Sequence, residues 1–192
     1  MSNEKSLELI ALSQKNLVGV HPRLKEIAEI IIDNLALIDV RFGVHMGLRS
    51  WETQAALYAQ GRESLYAVNA RRELAGLALI PTSENLRKVT KAPAGSSWHN
   101  FGLAVDLVED GDPLKAGIQW SWESIAAYRK LAAEAKKFPE VLSGSLFKSI
   151  VDYPHIEMHG DVSLASTRLL HKSGGIPAVW GAVDEELRIA KI

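Results

Sequence analysis

Two stretches of the chain carry residue types suited to hydrolytic chemistry. SSWHNFGLAVDL at 96–107 places His99 seven residues before Asp106, and VDYPHIEMHG at 151–160 offers Asp152, His155, Glu157 and His159. The chain has no cysteine, so a metal ion held here must sit among nitrogen and oxygen donors. Two histidines and a carboxylate can fill three positions of a tetrahedral zinc ion and leave the fourth to water. A spare acid can then move that water's proton. His99, Asp106 and His155 could supply the ligands, with Gly102 and Ala104 leaving room on the same face. Each cluster alone also reads as incidental: a histidine near an aspartate, or a surface pair of histidines. Periodicity by itself does not bring the two together in space.

The elements that must position these residues follow from the hydrophobic pattern. Residues 6–14 read as a short helix. Pro22 opens a second, to about residue 37, with Leu24, Ile27, Ala28, Ile31 and Leu35 on one stripe. Val40, Phe42, Val44, Met46 and Leu48 then alternate with polar or small residues, the period of a half-buried strand. Ser50 caps a helix through Gln60, and Gly61 stops it. Residues 62–88, broken by Pro81, read as one or two short surface helices. Gly102–Val108 reads as a strand, VEDGDP at 108–113 as a turn, and 122–137 as a helix capped by Ser121. Strands are expected at 147–152 and 155–159, with His155, Glu157 and His159 on one face of the second. SGGIPAVWG reads as a loop before a short helix from Val183.

Composition bounds the rest. At 192 residues and 47% apolar content the chain can bury a core as one domain, 1–192, without crosslinks. A balance of 22 basic and 23 acidic residues gives net charge -1, which favours neither nucleic acid nor an anionic membrane as a partner. No apolar run reaches the length of a membrane span. The first residues, MSNEKSLELIALSQKNL, lack a signal-type cleavage region, so the expectation is a monomer made in the cytoplasm without a signal peptide and without stable membrane insertion. Glu109, Asp110 and Asp112 lack the spaced ligand set of a calcium loop and read as an acidic turn. Trp98, Trp120, Trp122 and Trp180 read either as core or as a binding surface. His45 falls on the polar face of its strand, towards a cleft or solvent.

Ser97, His99, Gly102, Ala104 and Asp106, followed by Asp152, Pro154 and His155, resemble the zinc D-alanyl-D-alanine carboxypeptidase and phage L-alanyl-D-glutamate endopeptidase superfamily (VanY-like). GLRSWETQAALYAQGR upstream is similar to the family's arginine after a strand and its glutamine-containing helix, so the resemblance covers roughly residues 40–160. It implies an α+β fold, a small central antiparallel sheet flanked by helices, as in hedgehog and DD-peptidase domains. It implies Zn2+ on His99, Asp106 and His155, with Asp152 as the catalytic acid/base and Arg49 as the transition-state arginine. Ser97 and Gln54 match positions near the substrate. Asp rather than Glu at 152 is more like the phage endolysin branch, whose members cut the bacterial peptidoglycan stem peptide after holin-type release into the periplasm or cell wall. Glu157 is a rival base or an orienting partner, and His159 contacts substrate or closes the strand. The segment at 62–88 departs from the pattern as a helical insertion. A D,D-carboxypeptidase or dipeptidase, and a metal-bound wall-binding module without activity, are the alternatives.

Overall fold

The computed structural model describes residues 3–189 except 113, 116, 149 and 150. It is α+β. Five strands, β1 (Phe42–Met46), β2 (Ala104–Asp110), β3 (Trp120–Ser121), β4 (Leu142–Ser143) and β5 (His155–Glu157), form one antiparallel sheet in the order β1-β2-β5-β4. Glu109 of β2 pairs with Phe42 on one side and Ser121 of β3 on the other, so β3 and β5 share one edge of β2. The helices are α1 (Asn3–Asn16), α2 (Pro22–Ala36), α3 (Trp51–Ala59), α4 (Leu65–Leu74), α5 (Ile125–Ala135) and α6 (Leu164–Ile189).

The core follows the predicted stripe. Leu24, Ile27, Ala28, Ile31 and Leu35 of α2 are buried against Tyr128 and Leu131 of α5 and against Phe42, Val44, Val105, Leu107 and Ile156 of the sheet. Fully burying each such side chain contributes on the order of 1.5–3 kcal/mol. Pro22 opens α2, where its missing N–H costs nothing. Ser50 Oγ accepts from Thr53 N to cap α3, and Gly61, at φ 73°, lies just past its end. Residues 62–88 hold α4 and a short 3-10 turn at 84–86, with Val68 and Ile80 in a small cluster beside Ala59.

Four expectations change. VEDGDP does not turn at once: β2 runs through Asp110, whose amide bonds the Arg41 carbonyl. Ser121 belongs to β3 instead of capping a helix, so α5 starts at Ile125, and Ser124 at its N-cap turns its hydroxyl to Glu109. Among the described residues of 147–152 there is no strand; the ladder beside β5 is β4. SGGIPAVWG is helical apart from a break at Gly175 (φ 66°), which splits α6 into two arms. Pro177 then stands in the first turn of the second arm, where no amide hydrogen is needed. No described helix is long and apolar enough to cross a membrane.

Candidate metal centre

The ligand-bearing turn is built first. Residues 98–101 form a 3-10 turn, ended by Gly102 at φ 67°, and feed β2. A Cβ at Gly102 would collide with the Gly19 carbonyl, so the position demands glycine both for its backbone and for its neighbour. The turn is sewn to the segment after β1 from both sides: Arg49 N donates to His99 O at 2.9 Å, and Asn100 Nδ2 to Arg49 O at 2.9 Å. The arms of α6 clasp the turn from outside. From the first arm Arg168 Nη1 donates to Gly95 O, just before the turn, and from the second Trp180 Nε1 donates to Phe101 O at 2.8 Å.

Three side chains from the two sequence clusters converge. His99 Nε2, His155 Nδ1 and Asp106 Oδ1 lie 3.1–3.2 Å from one another. Donors about 2.0–2.2 Å from a tetrahedral ion lie roughly 3.3 Å apart. Proton bookkeeping points the same way. His99 Nδ1 meets the Gly47 carbonyl at 2.8 Å, so that nitrogen carries the hydrogen and Nε2 a lone pair. His155 Nε2 meets Glu157 Oε2 at 2.9 Å, so it carries the hydrogen and Nδ1 a lone pair. With those tautomers two imidazole lone pairs and a carboxylate oxygen face one point, which a proton on His155 Nδ1 or a metal cation can fill. Burial opposes charge on His155, yet hydrogen bonds to Asp106 and Glu157 outweigh it and raise the ring to about 10. Without a metal that charge is a proton on Nδ1, bonded to Asp106; a bound cation would take its place. The donor set fits Zn2+, and among the described residues this is the group of His and acidic side chains placed to hold a metal.

The other expected residues surround this point. Asp152 lies within electrostatic reach of Asp106, His155, His99 and Arg49; burial, then repulsion from Asp106, raises its carboxyl above the ordinary range. Its segment is seated on Gly144: Asp152 N donates to Gly144 O at 3.0 Å, and a Cβ at Gly144 would meet the Asp152 carbonyl and lie 3.0 Å from His155 Cβ. Glu157 resists by burial but is pulled down to about 2 by hydrogen bonds from His155 and His159. His159 reaches Glu157 Oε1 at 3.2 Å and stacks flat on Trp98, ring centroids 4.2 Å apart. Arg49, lowered by burial, bonds Asp106 Oδ2 at 3.4 Å and keeps a buried Nε without a hydrogen-bond partner. Ser97 precedes the ligand turn, half-buried, with no capping bond of its own. Gln54 lies beside Arg49. It is fully buried, accepting from Arg49 Nη1 at 2.9 Å and donating to Ala92 O at 2.6 Å, so it braces Arg49.

Sequence reasoning missed Asn100, Gly47 and Gly144. A buried Asn beside a ligand was the one available hint; nothing in one sequence marks a carbonyl that fixes a histidine tautomer.

A family model described as VanY, D-alanyl-D-alanine carboxypeptidase, matches residues 18–145, which include His99 and Asp106 and stop short of His155. Solved structures similar to this chain include the Serratia marcescens L-Ala D-Glu endopeptidase ChiX, at 30% identity over 76% of this chain and 85% of that one, TM-score 0.40. A mutant of the vancomycin-resistance D,D-pentapeptidase VanY from a VanB-type cassette, in complex with Zn(II), is 20% identical over 83% of each chain, TM-score 0.43. VanYB in complex with D-alanine-D-alanine is 17% identical over 82% of this chain and 80% of that one, TM-score 0.44. Because the family match takes in more than half of its length, this chain belongs to the VanY D-alanyl-D-alanine carboxypeptidase family, the zinc metallopeptidases of peptidoglycan.

Proposed function

We propose that the protein hydrolyses the L-alanyl–D-glutamate bond of the peptidoglycan stem peptide and serves as an endolysin. The observation that carries the peptidase chemistry is the convergence of three lone-pair donors beside a carboxyl whose proton affinity is raised. Zinc on these donors supplies Lewis-acid polarisation of the scissile carbonyl and acidifies water towards neutral pH. Asp152 takes the proton of the attacking water and returns it to the leaving amine, a task suited to a raised carboxylate. Arg49, fixed from behind by Gln54, turns its guanidinium to the oxyanion that grows on the carbonyl. Ser97 contacts the substrate from the start of the ligand turn. Glu157, held ionised by two imidazoles, orients His155 and is a poor base.

The endopeptidase reading is supported by Asp at 152 in the phage-like pattern. The second reading, a D,D-carboxypeptidase, is favoured by the description of the matching family. Zinc-replete protein given defined muropeptides, with products weighed by mass spectrometry, separates them. Cleavage between L-Ala and D-Glu is expected; release of free D-Ala with that bond intact would leave the carboxypeptidase. Residues 62–88 are proposed as a helical insertion in one catalytic domain. The endolysin role carries a route, synthesis in the host cytoplasm and passage to the wall through holin-made holes. Expression in bacteria with and without a holin tests it: lysis without a holin contradicts this route.

A further inference from the structure

One aromatic cluster beside the metal centre is not used by the chemistry above. His45 is one residue before Met46, which pairs with the ligand Asp106 across β1 and β2. Its ring meets two indoles edge-on, Trp120 at 5.3 Å and 85° and Trp122 at 5.0 Å and 81° between centroids and planes. The charges of Asp106 and Arg49 both reach it. Trp122 is 51% exposed, an indole kept half in water. Both indoles line a cavity of about 310 Å³ whose rim includes Gln119, Ser121 and Glu123.

An exposed indole braced edge-on suits a ring with one apolar face and polar edges. The face of an indole is electron-rich. A pyranose presents weakly positive C–H bonds on its faces and hydroxyl and acetamido groups around its edge, where the polar rim can bond them. Bracing by His45 reduces the rotamer freedom an ordered ring would otherwise lose on binding.

Distance selects which sugar. In peptidoglycan the stem peptide hangs from muramic acid through a lactyl ether. One lactyl and one residue separate the ring from the L-Ala–D-Glu bond, roughly 7 Å when extended. The D-Ala–D-Ala bond lies at least roughly 10 Å further away. Paired residues in an antiparallel ladder are roughly 5 Å apart, and His45 is one further chain step from that pair, so His45 lies within roughly 10 Å of the Asp106 backbone, with the Trp122 ring 5.0 Å from the His45 ring. A ring can rest there while a carbonyl sits at the zinc donors when the sugar is one residue from the cut. We propose that Trp122, Trp120 and His45 form a glycan subsite that binds the N-acetylmuramyl ring of the substrate. The proposal rests on the endopeptidase reading and deepens it: the substrate is glycan-bearing stem peptide.

The test compares kcat/KM of the zinc-loaded protein on an N-acetylmuramyl stem peptide and on the same peptide acetylated in place of the sugar. The wild type is expected to favour the sugar-bearing substrate roughly three- to tenfold, the size of an aromatic contact. Trp122→Ala should bring that ratio towards one, chiefly through KM, and Trp122→Phe should restore most of it. A ratio that Trp122→Ala leaves unchanged overturns the subsite. As a binding measurement independent of turnover, the N-acetylglucosamine–N-acetylmuramic acid disaccharide is titrated into zinc-loaded protein while tryptophan fluorescence is followed. Saturable change that is lost in Trp122→Ala supports the proposal, and no saturable change refutes it. Sugar-blind cleavage of L-Ala–D-Glu sinks the subsite alone; release of D-Ala with L-Ala–D-Glu intact sinks the scissile-bond reading instead.

Discussion

Asp152 and Glu157 flank His155, three residues before it and two after, and the fold treats them in opposite ways. Glu157 sits in β5 with each carboxylate oxygen on an imidazole nitrogen, and those bonds draw it down to about 2. Asp152 precedes the strand on a segment braced by Gly144, and burial with a neighbouring aspartate pushes its carboxyl up. An acid saturated with donors is a fixed charge that aims a ligand. One left short of donors near other negative charge is ready to take a proton. Proximity in sequence to the same histidine says nothing of which is which; hydrogen-bond supply does.

The largest effect that would sharpen this contrast belongs to Asp152. At matched zinc occupancy, Asp152→Ala is expected to keep the metal and the fold and to lose about 10²–10⁴-fold in kcat. Near-normal turnover in that variant, with a dead Glu157→Ala, would reverse the two roles.

Gly144→Ala probes the same acid from behind, since the added methyl must displace the Asp152 carbonyl. A shift near 1 Å can cost about 10²-fold, so steady-state kinetics should show a fall in kcat of up to that size while circular dichroism stays native. Kinetics indistinguishable from wild type would mean that the brace is not needed.

Glu157→Gln removes the charge while keeping the shape. Zinc affinity, read by competition with a chelating dye, should fall about 10–100-fold, and excess zinc should restore most activity. An activity deficit that zinc leaves untouched would make Glu157 a participant in the reaction.

The smallest effect is expected one step further out. His159→Gln loses the stack on Trp98 but can keep a donor near Glu157. Its zinc affinity should drop less than that of Glu157→Gln. If it strips the metal while His155→Ala retains it, the ligand set itself is wrong.

The ligand set was legible because seven residues separate His99 from Asp106 and because these two, with Asp152, Pro154 and His155, resemble a family pattern; alone, His155 was one of two histidines on the same strand face. α2 and α3 were legible for local reasons, a stripe of Leu and Ile and a serine cap. What escaped reading depends on distant partners. Ser121 has the composition of a cap, but pairing with Glu109 claims its backbone for β3. Gly174, Gly175 and Pro177 have the composition of a loop, yet Gly175 alone leaves helical geometry, and packing of Val179 and Val183 in the core holds the second arm. The burial of Gln54 was not legible either, because it depends on the 90–92 segment folding over it.

The bend in α6 lets one helix hold the turn of His99 at two places. Its first arm brings His171 against Trp51 and Phe101 and Arg168 to Gly95, and its second hooks the Phe101 carbonyl through Trp180. The amides of Arg49 and Leu103, bonded to His99 O and Trp98 O, lie inside that grip. Their exchange with deuterated solvent is therefore expected to wait on undocking of the helix, as one cooperative opening, and not on local fraying of a turn. A helix that donates no ligand is thus expected to set how often the ligand turn comes loose.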